Sequence, residues 1–289
     1  MCYHLIDDNR VMSSVENLCA GLGVSVSGYY DWRSRGINQR QQSDLQLLEA
    51  IRALQHSGRG LYGSDRIYKR LKAQGVTCSR KRVARLMRQY GLNSKRRRKP
   101  RHRTTDSRHN RPTAPNLLAR DFHADSPNEK WFGDIVGIWT GEGWLYLAAI
   151  LDCFSRMIVG WAMSAHRNEQ LVEDALLMAL QRREIPADSG LLHHTDRGSQ
   201  YTAHDYLNHL AAHGIQVSMS NKADPYDNAM MESFFSTLRA ELTDLQEFMT
   251  HDAARVAIFD FIEVFYNRQR IHSAIGYLSP TEYEARTLS

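Results

Sequence analysis

Three apolar runs rich in β-branched and aromatic residues, Trp131 to Trp139, Trp144 to Leu151 and Met157 to Met163, follow one another with only Thr140–Gly143 and Asp152–Arg156 between them. Runs of this length with turn residues between them predict three strands in an antiparallel meander. A helical pattern follows, with Leu171, Val172, Ala175, Leu176, Met178 and Ala179 on one side. Leu191 to Thr195 then reads as a strand, 203 to 213 as a helix and Ile215 to Met219 as a fifth strand. A last helix opens at Asp227 with Met231, Phe234, Phe235 and Leu238 as its buried face. The order βββαβαβα specifies an α/β fold, a mixed five-stranded sheet with helices on both faces.

The first half is different in kind. Of 37 Lys+Arg and 32 Asp+Glu in 289 residues, positions 1 to 125 hold 25 and 10, a net +15, and positions 126 to 289 hold 12 and 22, a net −10. The two halves sum to the overall +5. A basic module joined to an acidic one points to a polyanion as partner, with DNA or RNA the commonest. Three helical stripes are legible there. They are Leu47, Leu48, Ile51 and Leu54; Ile67, Tyr68 and Leu71; and, after a Ser79 cap and before a Gly91 stop, Val83, Leu86, Met87 and Tyr90. The polar face of the third carries Lys81, Arg85 and Arg88 with Arg82 beside them, which reads as a DNA-recognition helix. Val15, Leu18, Cys19 and Leu22 before Gly23, with Tyr29, Tyr30 and Trp32 after it, allow a further short helix-turn-helix unit. The expected organisation is a small all-α, helix-turn-helix-like DNA-binding region over 1–94, a basic linker with little structure of its own over 95–125, and an α/β core with C-terminal helices over 126–289.

Three acids stand out on this frame. Asp134 lies inside the first apolar strand, Asp196 ends the fourth, and Glu232 sits on the last helix in one polar stripe with Asn228, Ser236 and Arg239. Singly, these would be a bulge residue, a turn and a solvent-facing helix position. Together with a basic module they are the hard oxygen ligands that a pair of Mg²⁺ or Mn²⁺ ions takes in two-metal phosphoryl transfer. His193 and His194 stand beside Asp196, but no second His/Cys pair has zinc spacing. Four scattered cysteines give no disulfide framework. A mean hydropathy of −0.50 without a long apolar run excludes a membrane span, and no secretory signal opens the chain, so a reduced cytoplasmic compartment is expected.

Particular motifs carry a resemblance across nearly the whole chain. They are Ser79-Arg-Lys-Arg-Val-Ala-Arg-Leu-Met87, Trp131-x-x-Asp134, Leu151-Asp-x-Phe-Ser-Arg156, His194-Thr-Asp-Arg-Gly-Ser-Gln-Tyr201, Asp227-Asn-Ala-x-x-Glu232 and Tyr266-Asn-x-x-Arg-x-x-Ser273, with 35 residues between Asp196 and Glu232. In these the chain resembles the insertion-sequence transposases of family three, and in particular their second-reading-frame product. The resemblance implies a ribonuclease H-like integrase core with Asp134, Asp196 and Glu232 as catalytic and metal-binding residues. It implies metal-dependent cleavage of double-stranded DNA at the element's terminal repeats, then attack of the freed 3′-hydroxyl on target DNA. Arg239 would clamp a phosphate, and Lys81, Arg82, Arg85, Arg88 and Asn228 would meet DNA. A homo-oligomeric synaptic complex and an upstream-frame product, or a fusion with it, are the implied protein partners. The readings from other classes are a regulator that only binds DNA and a metal-dependent nuclease that does not join strands. A tyrosine recombinase built on Tyr266, Arg268 and Arg270 is disfavoured, because those residues follow an amphipathic helix with Ile258, Phe261, Ile262 and Phe265 and packing accounts for them.

Overall fold

The computed structural model describes residues 2–34, 38–95, 113–186, 188–221 and 225–287, so most of the basic run 95–103 lies outside the described residues. The meander forms as its pattern predicts: β1 Lys130–Thr140, β2 Gly143–Asp152 and β3 Ile158–Ser164 pair antiparallel. Two short strands, β4 Leu192–Thr195 and β5 Gln216–Met219, add in parallel on the other side of β1, giving the order β3-β2-β1-β4-β5. This mixed five-stranded sheet with flanking helices is the ribonuclease H-like arrangement.

Pleat alternation sorts the sheet residues between two cores. Trp131, Ala148 and Ile150 face helices α7 Glu169–Arg182 and α8 His204–Ala212. Phe132, Ile138, Leu147 and Leu151 face α9 Ala229–Leu238 and α10 His251–Phe259. Gly160 on β3 lies so close to α7 that an added Cβ would collide with the Ala175 carbonyl oxygen and the Ala179 Cβ. Gly160→Ala is therefore expected to destabilise the fold by about 1–3 kcal/mol or more, measurable by urea denaturation.

The N-terminal helices make two units. Helices α1 Cys2–Asn9, α2 Val15–Gly21 and α3 Val26–Ser34 close a small core of Ile6, Cys19 and Tyr29. Helices α4 Gln39–Ser57, α5 Ser64–Ala73 and α6 Arg80–Gln89 form the second. The expected signals are in place here. Ser79 Oγ accepts the Arg82 N–H, and Gly91, at φ +67°, ends α6 with the Leu92 N–H bonded to Met87 O at 2.8 Å. Buried Gln55 donates from Nε2 to Tyr62 O and Leu92 O, both at 2.8 Å, tying α4 to the turns before α5 and after α6.

Leu47, Ile51, Ile67, Leu71, Val83 and Leu86 belong to the same continuous core as Phe132, Phe234 and Phe261. The second helical unit is therefore packed against the catalytic half. The segment 113–125 between them has no regular secondary structure, yet it is anchored. Leu118 is buried, the Met219 N–H reaches Pro115 O, and the Leu117 and Leu118 N–H groups bond Ser218 Oγ at 3.0 and 3.3 Å. Where described, the expected linker is a strap packed along β5. All four cysteines are free, and among the described residues no helix is long and apolar enough to cross a membrane.

Candidate active site

Register brings the first two acids together. In the parallel pair of β1 with β4, Gly133 stands opposite Thr195, so Asp134 and Asp196 each come one residue later on neighbouring chains about 4.8 Å apart. Gly133 permits this approach: a Cβ there would lie 3.0 Å from the His193 ring. Asp134 shares the face of Phe132 and Ile138, which is the face that α9 covers. The start of α9 is held to this point by Asn228, whose Nδ2 donates to Gly133 O at 3.4 Å, and Glu232 follows one turn later.

The electrostatics report the same convergence. The Asp134 carboxyl is pushed up to about 8, first by burial, then by the Asp196 carboxylate and, more weakly, by Glu232; Arg167 and the Ile135 N–H oppose the shift. Tyr201, buried beside them, is raised by burial and by the same two aspartates. Asp134 Oδ1 accepts the Ile135 N–H at 2.7 Å and Asp196 Oδ1 the Gly198 N–H at 2.9 Å. Among the described residues no three His, Cys, Asp or Glu side chains close on one point as a finished ligand cage. Asp134 and Asp196 are adjacent and partly engaged by backbone donors.

Beside them a cleft of about 380 Å³ is lined by Arg167, Asn168, Glu169, Gln170, Ser199 and Gln200. Nothing in sequence spacing singles out Arg167, since it becomes relevant only when the turn before α7 is brought to Asp134. The two histidines serve packing. His193 Nε2 meets Tyr206 Oη at 2.6 Å, and the His194 ring lies between Ser218 Oγ at 2.8 Å and Ser220 Oγ at 3.1 Å. Burial pushes them down to about 3 and about 4, so both are neutral at pH 7. Asp227 is also structural: its carboxylate accepts Asn116 Nδ2 at 2.9 Å and the Asn221 N–H at 2.8 Å, so α9 itself begins at Ala229, after a short 3₁₀ turn.

Several expected DNA contacts are placed differently. Arg82 Nε bonds Asp44 at 2.6 Å and its Nη2 bonds Ser43 at 2.8 Å, and Arg85 Nη2 bonds the other Asp44 oxygen at 2.6 Å. These guanidiniums hold the Asp44 carboxyl below its ordinary range and anchor α6 to α4, whereas Lys81 and Arg88 are exposed. The face expected to be wholly cationic is thus partly neutralised from a neighbouring helix. Asn228 is buried against β1, where its Nδ2 ties the start of α9 to Gly133. Arg239 is half-buried two turns beyond Glu232, where α9 gives way to a π-helical turn over Arg239–Thr243.

Comparison with known proteins decides the family. An integrase core domain family matches residues 124–225, a second integrase core domain family matches 213–280, and an HTH-like domain family matches 42–100. The transposase InsF for insertion sequence IS3A of Escherichia coli is 40% identical over 293 residues, covering 100% of both chains. The chain belongs to the IS3 family of insertion-sequence transposases. A Shigella sonnei relative, described as an uncharacterized 31 kDa protein of insertion element IS600, is 43% identical over 269 residues, 93% of this chain and 98% of that one. Among solved structures, the HTLV-2 integrase catalytic core domain in complex with magnesium overlies 56% of this chain and 99% of its own, at 15% identity and a TM-score of 0.41. As a transposase with an integrase core, the IS3-family chain acts in DNA transposition and integration.

Proposed function

We propose that this transposase cuts double-stranded DNA at the ends of its own element and joins the freed 3′-hydroxyl to target DNA, with Asp134, Asp196 and Glu232 as the catalytic acids. The observation that supports this best is the placement of Asp134 and Asp196 one residue beyond the Gly133–Thr195 pair of β1 and β4, with Asp134 pushed up to about 8 by burial and its acidic neighbours. A buried carboxylate whose ionisation burial and acidic neighbours oppose is matched to cationic charge, and the donors of the three acids are all hard oxygens. The three acids would hold two Mg²⁺, or Mn²⁺, ions, which when bound supply activation of an attacking oxygen and stabilisation of a leaving one.

The remaining roles fall to the chain itself. The Ile135 and Gly198 N–H groups orient Asp134 and Asp196, Asn228 holds the base of α9 against β1, and Arg239 meets a phosphate near Glu232. Exposed Lys81 and Arg88, with the basic run from Lys95, grip the duplex backbone. A homo-oligomeric synaptic complex, association or fusion with an upstream-frame product, and a bacterial cytoplasmic, nucleoid-associated setting complete the reading. The DNA-binding regulator is disfavoured because all three acids are present and adjacent. A nuclease that nicks without joining shares every one of these features, so joined product is what separates it from a transferase.

Asp196→Asn and Glu232→Gln are each expected to abolish nicking of a labelled element-end duplex in Mg²⁺ while gel-shift affinity stays within about twofold. Persistent nicking by either variant removes that acid from the site. Lys81→Gln with Arg88→Gln is expected to weaken duplex binding and lower the slope of log K against log salt by about 2, near 0.9 for each phosphate no longer neutralised. An unchanged slope takes α6 out of the interface.

A further inference from the structure

We infer that Glu241 is a positioning residue that locks the α4–α6 unit to the helix of Glu232, so that docking of α5 sets where that acid stands. The inference rests on reading Glu232 as a catalytic acid. Glu241 lies nine residues after Glu232, on the π-helical turn that continues α9. Its carboxylate accepts Arg270 Nε at 2.6 Å and Nη2 at 2.9 Å, and Arg66 Nη1 of α5 approaches to 3.5 Å. The side chains of Glu241, Arg270 and Arg66 are 0, 4 and 20% exposed. Three distant stretches of chain therefore meet at one buried charge.

The surrounding contacts extend the same junction. Tyr62 Oη donates to Gln269 O and accepts the Ile271 N–H, each at 3.1 Å. Arg70 pairs with both Glu282 oxygens at 2.7 and 3.2 Å, and Tyr277 Oη donates to Asp65 at 3.0 Å. Cohesion alone does not call for ions here, because buried ion pairs add little net stability over apolar packing while specifying one register. One register is what this junction provides. A π-helical turn, a feature concentrated at functional sites, carries Glu241 and opens at Arg239, two turns beyond Glu232. A shift of α5 is thereby passed through Arg66 and Glu241 to the helix that carries Glu232.

The test uses the full chain, with end-cleavage rate at saturating element-end DNA and end affinity measured separately. Arg66→Met is expected to lower the saturated rate about tenfold with affinity within about twofold, and Arg66→Lys to recover most of it. A wild-type rate for Arg66→Met at saturation overturns the inference. So does a loss that saturating DNA restores, which would make Arg66 a DNA contact. Charge exchange gives a check that does not depend on Arg66. Arg70→Glu should slow cleavage, and Arg70→Glu with Glu282→Arg should restore it; failure to restore also overturns the coupling. Glu232→Gln, run in parallel, separates the two readings, because cleavage by that variant removes the acid that Glu241 is inferred to position.

Discussion

Asp134→Asn is expected to lose end cleavage and joining by roughly a thousandfold or more, and, without metal, to melt at a higher temperature than the wild type above pH 8. Both effects come from one carboxylate. In the folded chain Asp134 is pushed up to about 8 from an ordinary 3.8. Between those values the folded state keeps a proton that the unfolded state has released, so stability falls as pH rises. The contribution is fully present below about pH 4 and is lost as pH passes about 8. Asparagine keeps the shape and never ionises, so it escapes that loss. The variant should therefore gain about 2–4 kcal/mol over the wild type at pH 8.5 and almost nothing at pH 4. His193 and His194 act in the opposite sense. Both are neutral when folded, and their stability is lost as pH falls below about 6.5 toward 4 and 3, but they are common to both proteins and cancel in the difference. Added Mg²⁺ should raise the wild-type melting temperature more than that of the variant, because a cation favours the ionised acid. Equal pH profiles in urea denaturation would contradict both the burial of Asp134 and its place among like charges.

Arg270→Met is expected to cost about 3–5 kcal/mol, among the largest losses available to a single change in this chain. The guanidinium is almost fully buried, and its removal takes from the buried Glu241 carboxylate two hydrogen bonds of 2.6 and 2.9 Å. Burial drives His272, beside Arg270, well below its usual range, with Arg270 and Arg66 adding to the shift, so the imidazole next to this pair is neutral. Arg270→Met combined with Glu241→Leu should recover a large part of the loss, since an apolar pair of similar volume carries no unpaired charge. A double variant no better than the single one would mean that shape at this junction matters more than charge.

How far the sequence carries the structure follows from the range of each interaction. The meander, the helices and the Ser79 and Gly91 signals rest on contacts within a few residues, and they are legible as periodicity. Asp134 and Asp196 are individually conspicuous as acids in apolar strands. Their adjacency is not legible, because it depends on Gly133 standing opposite Thr195 across some sixty residues of chain. Arg82 and Arg85 show why surface charge misleads: a guanidinium facing a phosphate and one bonded to Asp44 from another helix give the same local pattern. Arg270 is similar. Its buried partner is 29 residues upstream on another element, so the sequence shows only an arginine after an amphipathic helix. The strap from 113 to 125 reads as linker because buried Leu118, half-buried Phe122 and scattered hydrogen bonds hold it, and none of these leaves a periodic trace.

The central claim is that Asp134, Asp196 and Glu232 form one metal-dependent site that joins DNA strands. It is tested most directly by supplying a precut element end with its 3′-hydroxyl exposed, together with target duplex and Mg²⁺, and following joined product. Wild-type protein should yield joined strands that EDTA prevents, and Asp134→Asn, Asp196→Asn and Glu232→Gln should each yield none while still binding the end. Joining by any of the three variants, or joining that proceeds in EDTA, would contradict it.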